Sequence, residues 1–245
     1  MQPIITHPWK ITEKQALQLQ EKLASKVIKK DKHNEIKLIA GVDVAYAKET
    51  NKIIAAIIIL DAITFDIVET SIAEDIEQFP YIPGLFSFRE LPSLIKAFAK
   101  LKNIPDLVVC DGQGYAHPRR FGLACHLGVI FDIPTIGCGK NRLLGTHDNV
   151  DTERGSIAPL IDNNEVIGNV LRTQNNIKPI YVSIGHKVSL ETATRWILKL
   201  ANHYRLPETT RKSDQAVKKA MSDFQLNQEH ETINLSVELL NKSSH

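Results

Sequence analysis

KLIAGVDVAYA at 37–47, IIAAIIIL at 53–60 and FDIVETSIA at 65–73 read as three sequential β-strands. The segments between them, TNK and DAIT, are short and polar, as antiparallel hairpins require. The first run is apolar on both faces, the pattern of a central strand covered from both sides. Asp43 interrupts it. An isolated buried carboxylate costs several kcal/mol or takes up a proton. Asp43 is therefore paired, bound to a cation, or on a sheet face more open than the run suggests.

Beyond the hairpins the periodicity changes. SFRELPSLIKAFAKLKN reads as a helix beginning between Phe88 and Pro92, and PDLVVCD as a strand ending at Asp111. HPRRFGLACHLGVIF follows as a helix with Pro118 near its first turn, then IPTIGCGK as a strand. Helices between strands imply parallel pairing through right-handed crossovers. The expected fold is α/β: a mixed sheet of three antiparallel strands followed by parallel strands, flanked by helices.

Residues 165–173 and 178–184 form a further expected hairpin. SLETATRWILKLANHY at 189–204 reads as a helix capped by Ser189 or Thr192, and a last helix carries Asp214. Upstream, residues 12–30 have helical apolar spacing, and Thr12 with Gln15 forms a capping box. No repeat or linker interrupts the chain before about residue 224, so residues 1–223 read as one domain. The polar stretch 224–245 reads as a mobile or late-docking tail.

Composition excludes more than it names. An apolar fraction of 43% with 24% charged residues suits a globular chain. No apolar run approaches the ~20 residues of a membrane helix, and MQPIITHPWK lacks the features of a secretory signal, so cytoplasm is the expected location. Cys110, Cys125 and Cys138 have no paired spacing and read as reduced, buried thiols; a metal pair of Cys125 with His126 has no second pair to complete it. Net charge is only +2, but residues 81–143 hold eight Lys/Arg against four Asp/Glu, while the rest holds 22 against 24. Basic charge thus gathers around the candidate site, as phosphate binding requires.

Three more residues draw attention. Asp111 lies at the carboxyl edge of its strand, where ligands gather, although Asp-Gly also forms plain turns. Glu90 either caps the helix with Ser87 as S-x-x-E or serves a site; Pro92 weakens the capping alternative. Lys140, after GCG, would bring an ammonium to the same edge, or sit solvated in a loop. Two or three carboxylates suit magnesium, which takes hard oxygen ligands and keeps water and phosphate oxygens as the rest.

AGVDVAY at 40–46, FPYIPGLFSFRE at 79–90, DGQGYAHPRRFGLACHLGV at 111–129, GCGKNRLLG at 137–145 and SIGHKVSLETA at 183–193 resemble, in order, the motifs of endonuclease V. The match runs over about residues 10–223, and its third segment is the most specific. The resemblance implies an RNase H-like fold and hydrolysis of the second phosphodiester 3′ to deoxyinosine. It implies Asp43, Glu90 and Asp111 as metal-binding acids, Asp214 as a further one, and Lys140 as stabiliser of phosphate or leaving group. The implied cofactor is Mg²⁺, with Mn²⁺ able to substitute.

The same resemblance makes Tyr81 a wedge where the damaged base is displaced, although a tyrosine packed on its prolines is the plainer reading. A hypoxanthine pocket is implied around Gly84, His117, Gly122 and Leu143, with Arg119, Arg120 and Arg142 on phosphates. His117 stays open between helix N-cap and DNA contact, His126 between metal site and core, and His186 with Lys187 between sheet support and strand contact. The implied partner is deoxyinosine-containing DNA, with inosine-containing RNA as the alternative, bound by a monomer. A non-catalytic lesion-binding module and a resolvase-type nuclease are the other readings weighed.

Overall fold

The computed structural model describes residues 1–47 and 50–242, and side chains up to residue 226. The three opening strands are β1 (Leu38–Tyr46), β2 (Lys52–Asp61) and β3 (Ile67–Ile76), paired antiparallel in sequence order. β2 buries eight consecutive residues from Ile53 to Leu60, so its unbroken apolar run reflects cover on both faces.

Two strand–helix–strand crossovers then extend the sheet. Helix α2 (Phe86–Lys100) leads to β4 (Leu107–Cys110), parallel to β1, and α3 (Leu123–Phe131) leads to β5 (Thr135–Gly139), parallel to β4. Beyond β5 the sheet turns antiparallel again through β6 (Ile157–Asp162), β7 (Glu165–Leu171) and β8 (Ile180–His186). The full order is β3-β2-β1-β4-β5-β8-β7-β6. Helices α2 and α3 bury one face around Leu91, Phe98, Leu127 and Ile130. On the other, α4 (Leu190–Leu200) packs against Val109, Val182 and Ile184, and the last helix, α5 (Glu208–Lys242), covers Ile54 and Ala56 through Val217 and Met221. At Gly41 any β-carbon would collide with the backbone of Thr209, so glycine lets the first turn of α5 rest directly on β1.

Several boundaries differ from the sequence expectation. The N-terminal helix α1 keeps its Thr12–Gln15 capping box but spans only Glu13–Ala24. Ile28 instead donates its N–H to His186 Nδ1 and accepts from the Lys187 N–H, tying this stretch to the end of β8. Helix α2 begins at Phe86 and carries Pro92 inside it. A helix-interior proline costs about 3 kcal/mol; burial of Leu91, Leu94 and Phe98 offsets it. Helix α3 begins at Leu123, after Gly122, so neither Pro118 nor His117 opens it. Arg120 at φ 54 cannot belong to a helix. Strand β6 is an element the sequence reading did not include; it lies at the sheet edge, where its Pro159 is tolerated. Asn163 and Asn164, both at positive φ, form the β6–β7 hairpin turn. Ser189 is the cap of α4, accepting the Thr192 N–H. The tail expected from residue 224 lies largely outside the described side chains, and residues 243–245 lie outside the description altogether.

Candidate active site

The parallel register of β1 and β4 pairs Val42 with Cys110, so Asp43, within β1, comes next in step beside Asp111 at the carboxyl end of β4. The first turns of α2 bring Glu90 to the same end, the residue after β5 brings Lys140, and α5 brings Asp214. Burial raises the Asp43 pKa to about 6, and the charges of Asp111 and Asp214 push the same way, against the Val44 N–H and Lys140. Glu90 is buried, and desolvation holds its pKa well above the ordinary range; Asp43 and Asp111 add to this, while a hydrogen bond from Tyr46 opposes it. Lys140 ion-pairs with Asp111. Burial works against its ammonium, but the Asp111 hydrogen bond with the charges of Asp43 and Asp214 keeps its pKa raised.

Among the described residues, no three His, Cys, Asp or Glu side chains stand ready-gathered in metal-binding geometry. Each acid is engaged singly: Asp111 with Lys140, Glu90 with the Tyr46 hydroxyl at 3.1 Å, Asp214 with Lys218 at 2.7 Å, and Asp43 with the Val44 N–H at 2.9 Å. The donor chemistry nonetheless suits a hard divalent cation. Four carboxylates influence one another electrostatically, with neither thiolate nor imidazole among them, and Lys140 and Lys218 match only part of their charge.

A cleft of about 440 Å³ opens beside these acids, lined by Tyr81, Gly84, Asp111, His117, Gly122, Lys140, Arg142 and Leu143. Tyr81 and Leu143 stand at its rim, 64% and 50% exposed. Gly84 takes φ +79, which favours glycine, and its carbonyl oxygen accepts from three donors: Gln20 Nε2 at 3.0 Å, His117 Nε2 at 3.0 Å and Arg119 Nη2 at 2.7 Å. His117 Nδ1 accepts the Arg119 backbone N–H at 3.2 Å, which leaves Nε2 as the protonated nitrogen. Burial, reinforced by the Arg119 charge, lowers the His117 pKa to about 4. The imidazole is thus a neutral brace for the loop around Gly84. At Gly122 a β-carbon would strike the Gln113 carbonyl, so glycine permits this close approach.

Other expected residues fall elsewhere. Arg119 is turned into the protein toward Gly84 and Gln20, and Arg120 pairs with Asp162 and Glu165, each at 2.8 Å, on the β6–β7 turn. Arg142 remains exposed at the cleft mouth. His126 is a core residue: Nδ1 meets Ser87 Oγ and Nε2 meets His7 Nε2, both at 2.9 Å, among Trp9, Phe88 and Phe121. Ser87 is thereby drawn from any capping role, and Glu90 points at Tyr46 instead. His186, the last residue of β8, ties the end of that interior strand to Ile28 and Asp132. Three cleft-side residues escaped the sequence reading: Tyr46, Gln113 and Gln20. The last left a signal, as a glutamine on the apolar face of α1 between Ala16 and Leu23.

The family model for endonuclease V matches residues 21–215. Endonuclease V of Rippkaea orientalis is 52% identical over 200 residues, covering 82% of this chain and 87% of the relative. The crystal structure of endonuclease V from Streptomyces avermitilis superposes with a TM-score of 0.86 at 42% identity, covering 90% of this chain and 98% of that one. Endonuclease V of Ciona intestinalis, crystallised with a 24mer DNA containing an inosine followed by a ribo-adenosine, superposes with a TM-score of 0.76 at 26% identity, over 86% and 98% of the two chains. With a mixed, RNase H-like sheet and most of its length matched, this chain belongs to the endonuclease V family of nucleases.

Proposed function

We propose that this protein is a DNA-repair endonuclease that hydrolyses the second phosphodiester 3′ to deoxyinosine, with Mg²⁺ as its cofactor and Mn²⁺ able to replace it. The observation that carries this reading is the convergence of Asp43, Glu90, Asp111, Asp214 and Lys140 beside the cleft that Tyr81 overhangs.

Nucleases of this family need a divalent metal, and Asp43, Glu90, Asp111 and Asp214 would hold it. When bound, the cation neutralises the phosphate and activates the attacking water. Lys140 stabilises the charge that grows on the departing 3′ oxygen. Tyr81 fills the gap left by the displaced nucleotide, offsetting part of an unstacking cost of a few kcal/mol. The displaced base enters the pocket around Gly84, His117, Gly122 and Leu143, where backbone groups read the O6 acceptor and N1 donor that deamination creates. Arg119 reaches phosphate only by releasing Gly84, so Arg142 is the freer anchor. Residues 1–223 act as one catalytic domain, and the protein works as a cytoplasmic monomer. No helix among the described residues is long and apolar enough to cross a membrane.

The test is incubation with inosine-bearing and matched adenine-bearing duplexes in Mg²⁺. A nick at the second bond 3′ to inosine, lost in Asp43→Ala, is expected. Equal cutting of both duplexes, or an unchanged rate in the variant, would defeat the reading. Inosine in single-stranded RNA is a second substrate reading, favoured by the ribo-adenosine that follows inosine in the Ciona complex. Competition between deoxyinosine and inosine strands separates the two.

A further inference from the structure

The loop between α4 and α5 carries an arginine that the sequence reading passed over. Arg205 donates from Nε to the Lys178 carbonyl at 2.7 Å, and from Nη2 to the carbonyls of Lys140 at 2.8 Å and Pro179 at 3.0 Å. Lys140 follows β5, and Lys178 with Pro179 precede β8, its antiparallel neighbour through the Gly139–Tyr181 pair. Glu208, three residues after Arg205, begins the helix that bears Asp214. One guanidinium therefore fastens the ends of two strands to the approach of α5.

The opposite side of the same short segment is also held. Gln113, two residues beyond Asp111, donates Nε2 to the Asn141 carbonyl at 3.1 Å. The backbone at 139–141 is thus gripped between the loop that carries Asp111 and the loop that leads to Asp214. A lysine has a long, flexible stem, and its ammonium is placed only as well as its own backbone is fixed.

We propose that Arg205 is a positioning residue, which sets the backbone of Lys140 so that its ammonium faces the reacting phosphate, and which couples that placement to the Asp214 helix. The inference rests on the function proposed for Lys140 above. Its chemistry needs arginine: three carbonyls are met from one planar fork, which a lysine ammonium cannot reproduce.

The test is a double-mutant cycle with Arg205→Ala, Lys140→Ala and the pair, together with Arg205→Lys, which keeps charge and bulk should the alanine variant fold poorly. Arg205→Ala is expected to lower kcat by about 10- to 100-fold, as misplaced catalytic groups do, with affinity for the inosine strand measured without divalent metal kept within about threefold. Arg205→Lys restores little of the rate. In the Lys140→Ala background, removing Arg205 adds almost nothing, because the group it positions is gone.

Amide hydrogen exchange supplies a readout independent of activity. In Arg205→Ala, exchange is expected to quicken at residues 139–143 and 178–181. Full additivity of the two alanine substitutions, or unchanged exchange in those segments, would overturn the proposal. A wild-type protein that never nicks inosine strands would overturn the function instead, leaving the exchange result to judge the grip of Arg205.

Discussion

Lys140 and Asp111, at the ends of neighbouring parallel strands, form an ion pair across 29 positions of sequence. The pair holds an ammonium against one of four clustered carboxylates, half-buried and beside an open cleft. It makes the lysine part of the site's charge balance and explains why its role should appear in rate more than in binding.

Lys140→Ala is expected to lower kcat by about 10²- to 10³-fold, the range for removing a donor aimed at developing charge. Affinity for an uncleaved inosine strand should change far less. Single-turnover rates beside equilibrium binding check this, and parallel losses in both would make Lys140 a simple phosphate anchor.

Asp43→Asn should raise stability in the absence of divalent metal. A carboxylate whose folded pKa, about 6, exceeds its unfolded value disfavours the folded state at neutral pH, and the penalty fades as pH falls through 6 toward 3.8. A shift of this size corresponds to about 3 kcal/mol, reduced by the partial exposure of the group. Thermal melts at pH 7.5 should therefore place the variant above wild type, with the gap closing near pH 4. A lower Tm for the variant at pH 7.5 would show that the acid is not under this strain.

His117 carries the opposite sign. Its folded pKa, about 4, lies below the unfolded value of 6.5, so its contribution is complete above pH 6.5 and is lost as pH falls toward 4. The loss amounts to about 3 kcal/mol at most. His117→Gln, which keeps a side-chain N–H donor, should flatten the dependence of Tm on pH between 6.5 and 4. An unchanged slope would assign that acid sensitivity to His7, His126 or His186, whose pKa values burial also lowers.

Tyr81→Ala should slow nicking of duplex inosine substrates more than of single strands, because only the duplex must be unstacked. Comparing the two rate ratios measures this, and an equal loss on both would return Tyr81 to a packing role.

Much of this architecture is legible in the chain, for physical reasons. The opening hairpins follow from unbroken apolar runs split by short polar turns, and the crossovers from the switch to helical period around Leu94 and Leu127. Asp43 stands out because a carboxylate within an apolar strand needs an explanation. What escaped depends on partners far away in sequence. Arg120 looked like a phosphate ligand, yet Asp162 and Glu165, on the β6–β7 hairpin that the sequence reading did not include, claim it. Pro92 argued for a late helix start, but the apolar face of α2 outweighs the proline. Tyr46 is reached by strand alternation only once Glu90 is known to approach from α2, and nothing local marks Arg205 as the clamp on Lys140.

Calorimetric titration of Mn²⁺ into wild type, Asp43→Asn and Asp111→Asn interrogates the shared site itself. Wild type should bind with a saturable isotherm that weakens by at least about tenfold in either variant, as loss of a ligand to a common ion requires. Superimposable isotherms for all three proteins would mean that these two acids do not hold a cation together.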